Sequence, residues 1–181
     1  MRHVRTSGGP TVGKLLTSFM LLWLASCVPA PFGSHDDDKK ADGSRCDVND
    51  EHYTYYPNNE GAAGTMFDKF RVTHRGKRPR CSLRGYATVQ LLGRHGKVLP
   101  IKVRHDHAFK VRTRVLRKGH PVFFFVRHPS AQSNGKQCTH KVYRVRVLLP
   151  HHSRSVTFKG FGPIRYCDAA RVTTFLTRKQ I

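Results

Sequence analysis

The feature that most limits how this chain can fold is a period of two. From Thr65 onward, apolar side chains alternate with cationic or hydroxylated ones. Phe70 and Val72 are set against Lys69, Arg71 and Thr73, and Ile101 and Val103 against Lys102 and Arg104; Phe109, Val111, Thr113 and Val115 are set against Lys110, Arg112 and Arg114. Successive side chains of an extended strand point to opposite faces, so the pattern predicts antiparallel strands with one buried face and one wet, basic face. Val122–Val126 is apolar at every position and is expected at the centre of a sheet, covered on both sides. Further strands are predicted over Gly85–Leu92, Lys141–Leu149, Ser155–Phe158 and Ile164–Phe175, with turns at Arg75-Gly76-Lys77, Gly93-Arg94-His95-Gly96 and Ser133-Asn134-Gly135. No segment carries a capped apolar stripe of helical period, so long helices are not expected, and there is no internal repeat. About eight short strands in a little over 130 residues predict an all-β fold, an immunoglobulin-like antiparallel β-sandwich.

The N-terminus reads as an address. Arg2, Arg5 and Lys14 precede the apolar stretch Leu15–Ala25, the charged and hydrophobic parts of a secretory signal. The stretch is shorter than the ~20 residues a spanning helix needs, and no other apolar run reaches that length, which excludes a multi-pass membrane protein. It ends in Leu24-Ala25-Ser26-Cys27, which resembles a bacterial lipobox: cleavage before Cys27 would leave an acylated N-terminal cysteine. Ordinary cleavage after Val28-Pro29-Ala30 competes, although Pro31 suits the next position badly. Retention as an uncleaved anchor is the other alternative. The expected organisation is a signal peptide over 1–26, a lipid-anchored flexible tether rich in Pro, Gly, Ser and Asp over 27–45, and a β-sandwich over 46–181.

Charge is divided along the chain. Asp36–Asp68 holds nine acids and three bases, whereas Lys69–Ile181 holds 27 bases and only two acids, Asp106 and Asp168, within a chain of net charge +22. So basic a region repels itself and attracts polyanions. Beyond Cys27 there are four cysteines, Cys46, Cys81, Cys138 and Cys167. An even number in an exported chain implies disulfides, in any of three pairings, of which Cys46–Cys81 with Cys138–Cys167 is preferred. Each bridge would contribute about 3 kcal/mol through the unfolded state. Structural zinc is the rival, but no close CxxC spacing is present.

The order of these signals carries a resemblance. Cys81-Ser82-Leu83-Arg84-Gly85-Tyr86-Ala87-Thr88-Val89 resembles the C-x-L-x-G-Y-P-x-V core of the actinobacterial domain-of-unknown-function 4232 family. Leu116-Arg117-Lys118-Gly119 resembles its L-x-P-G turn, and Cys138, Val145–Pro150 and Cys167 match its later landmarks. The resemblance spans about Cys46 to Phe175. Two prolines of the pattern are replaced, by Ala87 and Lys118, and the family is usually less basic. The resemblance implies a secreted or lipid-anchored β-sandwich and brings no catalytic residues.

In His105-Asp106-His107, residues i and i+2 of a strand share a face, so two imidazoles can meet one metal ion. Further ligands would come from His120, His128 or His151-His152; solvated histidines are the preferred reading, since no closed ligand set is visible. Blue copper needs an axial partner, and no Met follows Met66. Only two carboxylates in the basic region, no GxSxG elbow and oxidised cysteines argue against an enzyme. No cofactor and no small-molecule substrate are inferred.

The strand cations point to anions instead. Lys110, Arg112 and Arg114 are expected on one face, Arg144 and Arg146 on another, with Arg75, Lys77, Arg78 and Arg80 crowding one turn. Arginine suits bidentate contacts to phosphate and carboxylate. Nucleic acid is disfavoured because Phe158, Phe161 and Tyr166 read as core rather than as stacking platforms. The expected function is a non-catalytic cell-envelope lipoprotein binding anionic lipid headgroups or wall polymers, on the outer face of the cytoplasmic membrane or secreted. The alternatives are a structural or protein-interaction module of the envelope and a metal carrier using His105 and His107.

Overall fold

The computed structural model describes residues 44–62, 64–130 and 138–181. The expected signal, the lipidation site Cys27, residues 27–43 of the tether and the Ser133-Asn134-Gly135 turn lie outside the described residues. The strands are β1 (Glu51–Ala62), β2 (Thr65–His74), β3 (Arg80–Leu83), β4 (Thr88–Leu92), β5 (Lys102–His105), β6 (Arg114–Arg117), β7 (Val122–Pro129), β8 (His140–Val142), β9 (Arg144–Leu148), β10 (Val156–Phe158), β11 (Ile164–Tyr166) and β12 (Ala169–Val172). Single 3₁₀ turns sit at Val48–Asp50 and Arg178–Gln180, and no α-helix occurs among the described residues.

The strands form a five-stranded sheet in the order β1-β2-β7-β12-β5, a three-stranded sheet β10-β9-β4, and the pairs β11-β8 and β3-β6. All pairings are antiparallel except β12 with β5. Alternation sorts the side chains. Phe70, Val72, Phe124, Val126 and Val172 of the large sheet share one core with Val89, Leu91, Val145 and Val147 of the three-stranded sheet, and Leu83, Leu116, Val142 and Ile164 of the pairs join them. Phe70 and Phe124 stack at 4.6 Å between ring centroids. Such a pair is worth about 0.5–1.5 kcal/mol beyond its buried area. Two disulfides, Cys46–Cys81 and Cys138–Cys167, staple the fold.

β7 is the middle strand of the large sheet, which accounts for its unbroken apolar run. Its outward Phe123 and Phe125 form a second cluster with Leu176, against which Phe67 and Phe109 pack. That cluster explains a correction. The predicted strand over Phe109–Val115 begins only at Arg114. The buried Asp106 carboxylate accepts the Ala108 amide (3.1 Å), an Asx-type turn that diverts the chain, and Phe109 then covers the outer face of β7. Lys141–Leu149 and Ile164–Phe175 likewise each break into two strands, because each contributes to two sheets.

Strand β1 has no counterpart among the predicted strands. It is an edge strand, the place where a proline is tolerated, and its pairing with β2 is interrupted between Tyr56 and Glu60, around Pro57. Asn58 there adopts φ +44° and gives its amide to the Asp68 carboxylate at 2.7 Å.

The glycines and cysteines of the two motifs are structural. Gly85 needs its φ of +107°, and its carbonyl accepts from the Thr174 hydroxyl (2.8 Å). Cys81, Leu83, Ala87 and Val89 are buried in the core.

Candidate anion-binding site

Outward positions on three neighbouring strands bring cations together. On β7 the outward residues run Phe123, Phe125, Arg127; on β12 they are Ala169 and Arg171; on β5 they are Lys102 and Arg104. Register then aligns them. Arg171 lies opposite Arg127 on one side and Arg104 on the other, and Ala169 lies opposite Lys102. Strands are spaced by about 4.8 Å, so Arg127, Arg171 and Arg104 form a row across the sheet. The small Ala169 leaves room beside it. The result is a pocket of about 380 Å³ lined by Lys102, Arg104, Arg127 and Arg171 together with Thr65, His128, Pro129, Ala169 and Ala170.

One carboxylate stands beside this row, just past the end of β5. Asp106 is buried and accepts from Arg127 Nη1 at 2.7 Å. Burial alone would raise its pKa. The Ala108 amide, the hydrogen bond and charge of Arg127 and the charge of Arg171 outweigh that, so the carboxyl sits below its usual range. Asp106 therefore remains ionised and fixes Arg127 in place, and the four cations outnumber the two carboxylates near them, Asp106 and, behind His128, Asp68. Arg127 Cζ also lies 5.4 Å from the Phe67 ring centroid, which further orients the guanidinium.

Two polar atoms of pocket-lining residues are buried without a hydrogen-bond partner among the described residues, Arg127 Nε and His128 Nε2. His128 stacks on Tyr166 at 3.8 Å, and the Tyr166 hydroxyl donates to Asp68. Burial pushes the His128 imidazole below its ordinary pKa despite the Asp68 charge, and pushes the Tyr166 phenol well up. Neither adds positive charge to the pocket.

The nine cations singled out in the sequence do not meet in one place. Arg78 is committed to structure: its guanidinium donates to Asp50 (3.1 and 2.6 Å) and to the Ser44 hydroxyl (2.7 Å). Arg75, Lys77 and Arg80 are exposed around it, with Arg80 opposite Arg117. The shared face expected for Lys110, Arg112 and Arg114 does not form, because only Arg114 is on a strand; its Nε donates to the Phe175 carbonyl (3.1 Å). Arg144 and Arg146 do share a face, on β9 of the three-stranded sheet, where Arg146 donates to Gln90 (3.3 Å). Of the pocket cations, Lys102 and Arg104 were legible as wet-face residues. Arg127 ends an apolar run and Arg171 sits in a segment read as a single long strand, so nothing local marked either.

His105 and His107 do not flank a common metal position on a strand. His105 ends β5 and stacks on Tyr86 at 4.1 Å, His107 lies in the following turn with its ring centroid 6.3 Å away, and the intervening Asp106 is engaged by Arg127. Among the described residues, no group of three or more His, Cys, Asp or Glu comes together as a metal site. A separate buried cluster joins Glu51 to Tyr53, whose hydroxyl donates to it, and to His152, whose Nδ1 is 3.7 Å away. Burial, only partly offset by the Tyr53 bond, raises Glu51 to about 7, and burial also lowers His152.

A second pocket, of about 430 Å³, lies along the free edge of β1 and is lined by Tyr53, Tyr55, Pro57, Phe158 and Phe161 among others.

In comparison with known proteins, the family model described as a domain of unknown function, DUF4232, matches residues 46–176. No curated protein and no solved structure matches the chain.

Proposed function

The chain belongs to the domain-of-unknown-function family DUF4232, and from that premise we propose that its body is a non-catalytic, polyanion-binding domain of the cell envelope. The reading places it on the outer face of the cytoplasmic membrane through a lipid on Cys27, or secreted. Its partners are anionic lipid headgroups or wall polymers. The observation that carries it is the alignment of Lys102, Arg104, Arg127 and Arg171 on one sheet face, with Arg127 held by the Asp106 carboxylate. Near an anionic surface, each such cation contributes about 1 kcal/mol of attraction.

The test is co-sedimentation of the full-length chain with phosphatidylglycerol vesicles and retention on polyphosphate resin across a salt series. Binding is expected to fall steeply as salt rises. Retention that is indifferent to salt overturns the electrostatic reading. Mass spectrometry of the exported chain tests the anchor: an acylated N-terminal Cys27 supports it, and an unmodified start at Pro31 removes it.

The aromatic groove along the free edge of β1 favours one second reading, a protein-interaction module of the envelope. That reading predicts a defined protein partner whose binding survives high salt.

A further inference from the structure

We propose that the pocket lined by Lys102, Arg104, Arg127 and Arg171 is a discrete phosphate site that takes one phosphate group per chain, rather than one part of a diffuse positive surface; this rests on the polyanion-binding reading above. Three observations converge on it. First, the cations come from three adjacent strands and meet over the small Ala169, so a ligand there is approached from several directions. A planar carboxylate offers two oxygens on one side, whereas a tetrahedral phosphate offers oxygens all round and suits a convergent set of guanidinium forks. Second, the site is built rather than merely exposed. Asp106, buried and ionised, holds Arg127 through Nη1 at 2.7 Å. In a guanidinium held that way, the Nε–Nη2 edge faces elsewhere, and that edge is the two-pronged donor that matches a phosphate. Third, Arg127 Nε on that edge has no acceptor among the described residues; the atom is covered in the free structure, and the guanidinium, about a third exposed, offers it to a ligand by turning about its Asp106 bond. A buried donor left unpaired is costly, and a phosphate oxygen relieves it.

The phosphate is carried by a lipid headgroup or by a soluble phosphate polymer; the chemistry is shared, and the experiment has an arm for each. Calorimetry on the full-length chain at low salt and near-neutral pH uses inorganic pyrophosphate, with citrate as a carboxylate of like charge. One pyrophosphate is expected to bind per chain, at least tenfold tighter than citrate. The Arg104→Gln/Arg171→Gln variant is expected to lose at least fiftyfold in pyrophosphate affinity, since each charged hydrogen bond is worth about tenfold or more. Arg144→Gln/Arg146→Gln, on the other sheet, should stay within about twofold. Both replaced arginines of the pocket are exposed, and a single Lys102→Gln variant, expected to lose about tenfold, serves if the double variant unfolds.

Phosphatidylglycerol vesicles and soluble polyphosphate, offered to wild type and the double variant, distinguish the two sources: loss with either one supports the site and names its carrier. Equal affinity for pyrophosphate and citrate, several equivalents bound, or equal loss in the two double variants would overturn the discrete site while leaving polyanion binding intact. Failure to bind polyphosphate, vesicles and pyrophosphate alike overturns both.

Discussion

Lys118 occupies the second position of the turn Arg117–His120, which is closed by the His120 amide donating to the Arg117 carbonyl at 3.0 Å. Gly119 follows with φ +78°, while Lys118 is not among the non-glycine residues with positive φ. That combination is a type II turn, whose second position favours proline. Here Lys118 stands where the resembling pattern has Pro, and Arg117 before it is already extended within β6, as a residue preceding proline must be. Lys118→Pro is therefore expected to raise stability by about 0.4–1 kcal/mol, by narrowing the unfolded ensemble. Urea denaturation measures it, and a loss of stability would contradict the turn assignment.

Glu51 supplies a second prediction at the same scale. Its folded pKa of about 7 lies above the ordinary value of 4.5. Between those two values the folded chain holds a proton that the unfolded chain has released, so stability fully present below about pH 4.5 is lost as pH rises through about 7. Glu51→Gln keeps the neutral form at every pH. The variant should match wild type near pH 4.5 and exceed it by about 1–3 kcal/mol at pH 8. Urea unfolding at the two pH values reads the difference, and a gap that does not widen with pH refutes the assignment.

Elements differ in how plainly the sequence announces them. β2 and β9 alternate cleanly, and β7, apolar from Val122 to Val126, lies between two clusters that cover its opposite faces. β1 does carry a strand signal, Tyr53 and Tyr55 alternating with His52 and Thr54, but it is short and runs into Pro57-Asn58, a turn signal, within an acidic stretch; what holds it is pairing with β2. The departure of Phe109 was equally hidden, since its alternation with Lys110 and Val111 fits a strand, and only the outward faces of Phe123 and Phe125, which it helps to cover, explain where it goes. These two faces predict different costs. Phe124→Ala, in the main core, is expected to destabilise by about 3–5 kcal/mol. Phe109→Ala, which uncovers the outer cluster without opening the core, should cost about 1–2 kcal/mol. Equal losses for the two, by urea denaturation, would mean that the outer cluster is not the lesser of the two. The pocket shows the same limit of local reading. Lys102 and Arg104 meet Arg171 only because β5 pairs in parallel with β12, a long-range choice that no local pattern records.

At the scale of the whole molecule, the net charge of +22 acts on folding and on binding with opposite signs. Arg80 faces Arg117 across β3 and β6, and Arg104, Arg171 and Arg127 stand side by side on the large sheet, so the folded state concentrates like charges that the unfolded chain spreads apart. Added salt shortens the range of that repulsion, from roughly 30 Å at 0.01 M to roughly 8 Å at 0.15 M, and should stabilise the fold. The same ions compete for the cation pocket and should weaken its hold on phosphate polymers. Raising sodium chloride from 20 to 500 mM is thus expected to increase the free energy of unfolding in urea by about 1–2 kcal/mol while lowering polyphosphate affinity by at least tenfold. Guanidinium chloride would mask the effect, being itself a salt, so urea is the denaturant to use. Polyphosphate added at low salt should reproduce the stabilisation by occupying the pocket, and Arg104→Gln/Arg171→Gln should be more stable than wild type at 20 mM salt yet respond less to the polymer. A double variant less stable than wild type at low salt would show that these arginines hold the sheet together instead of straining it, and that the row of cations is there for the fold and not for a ligand.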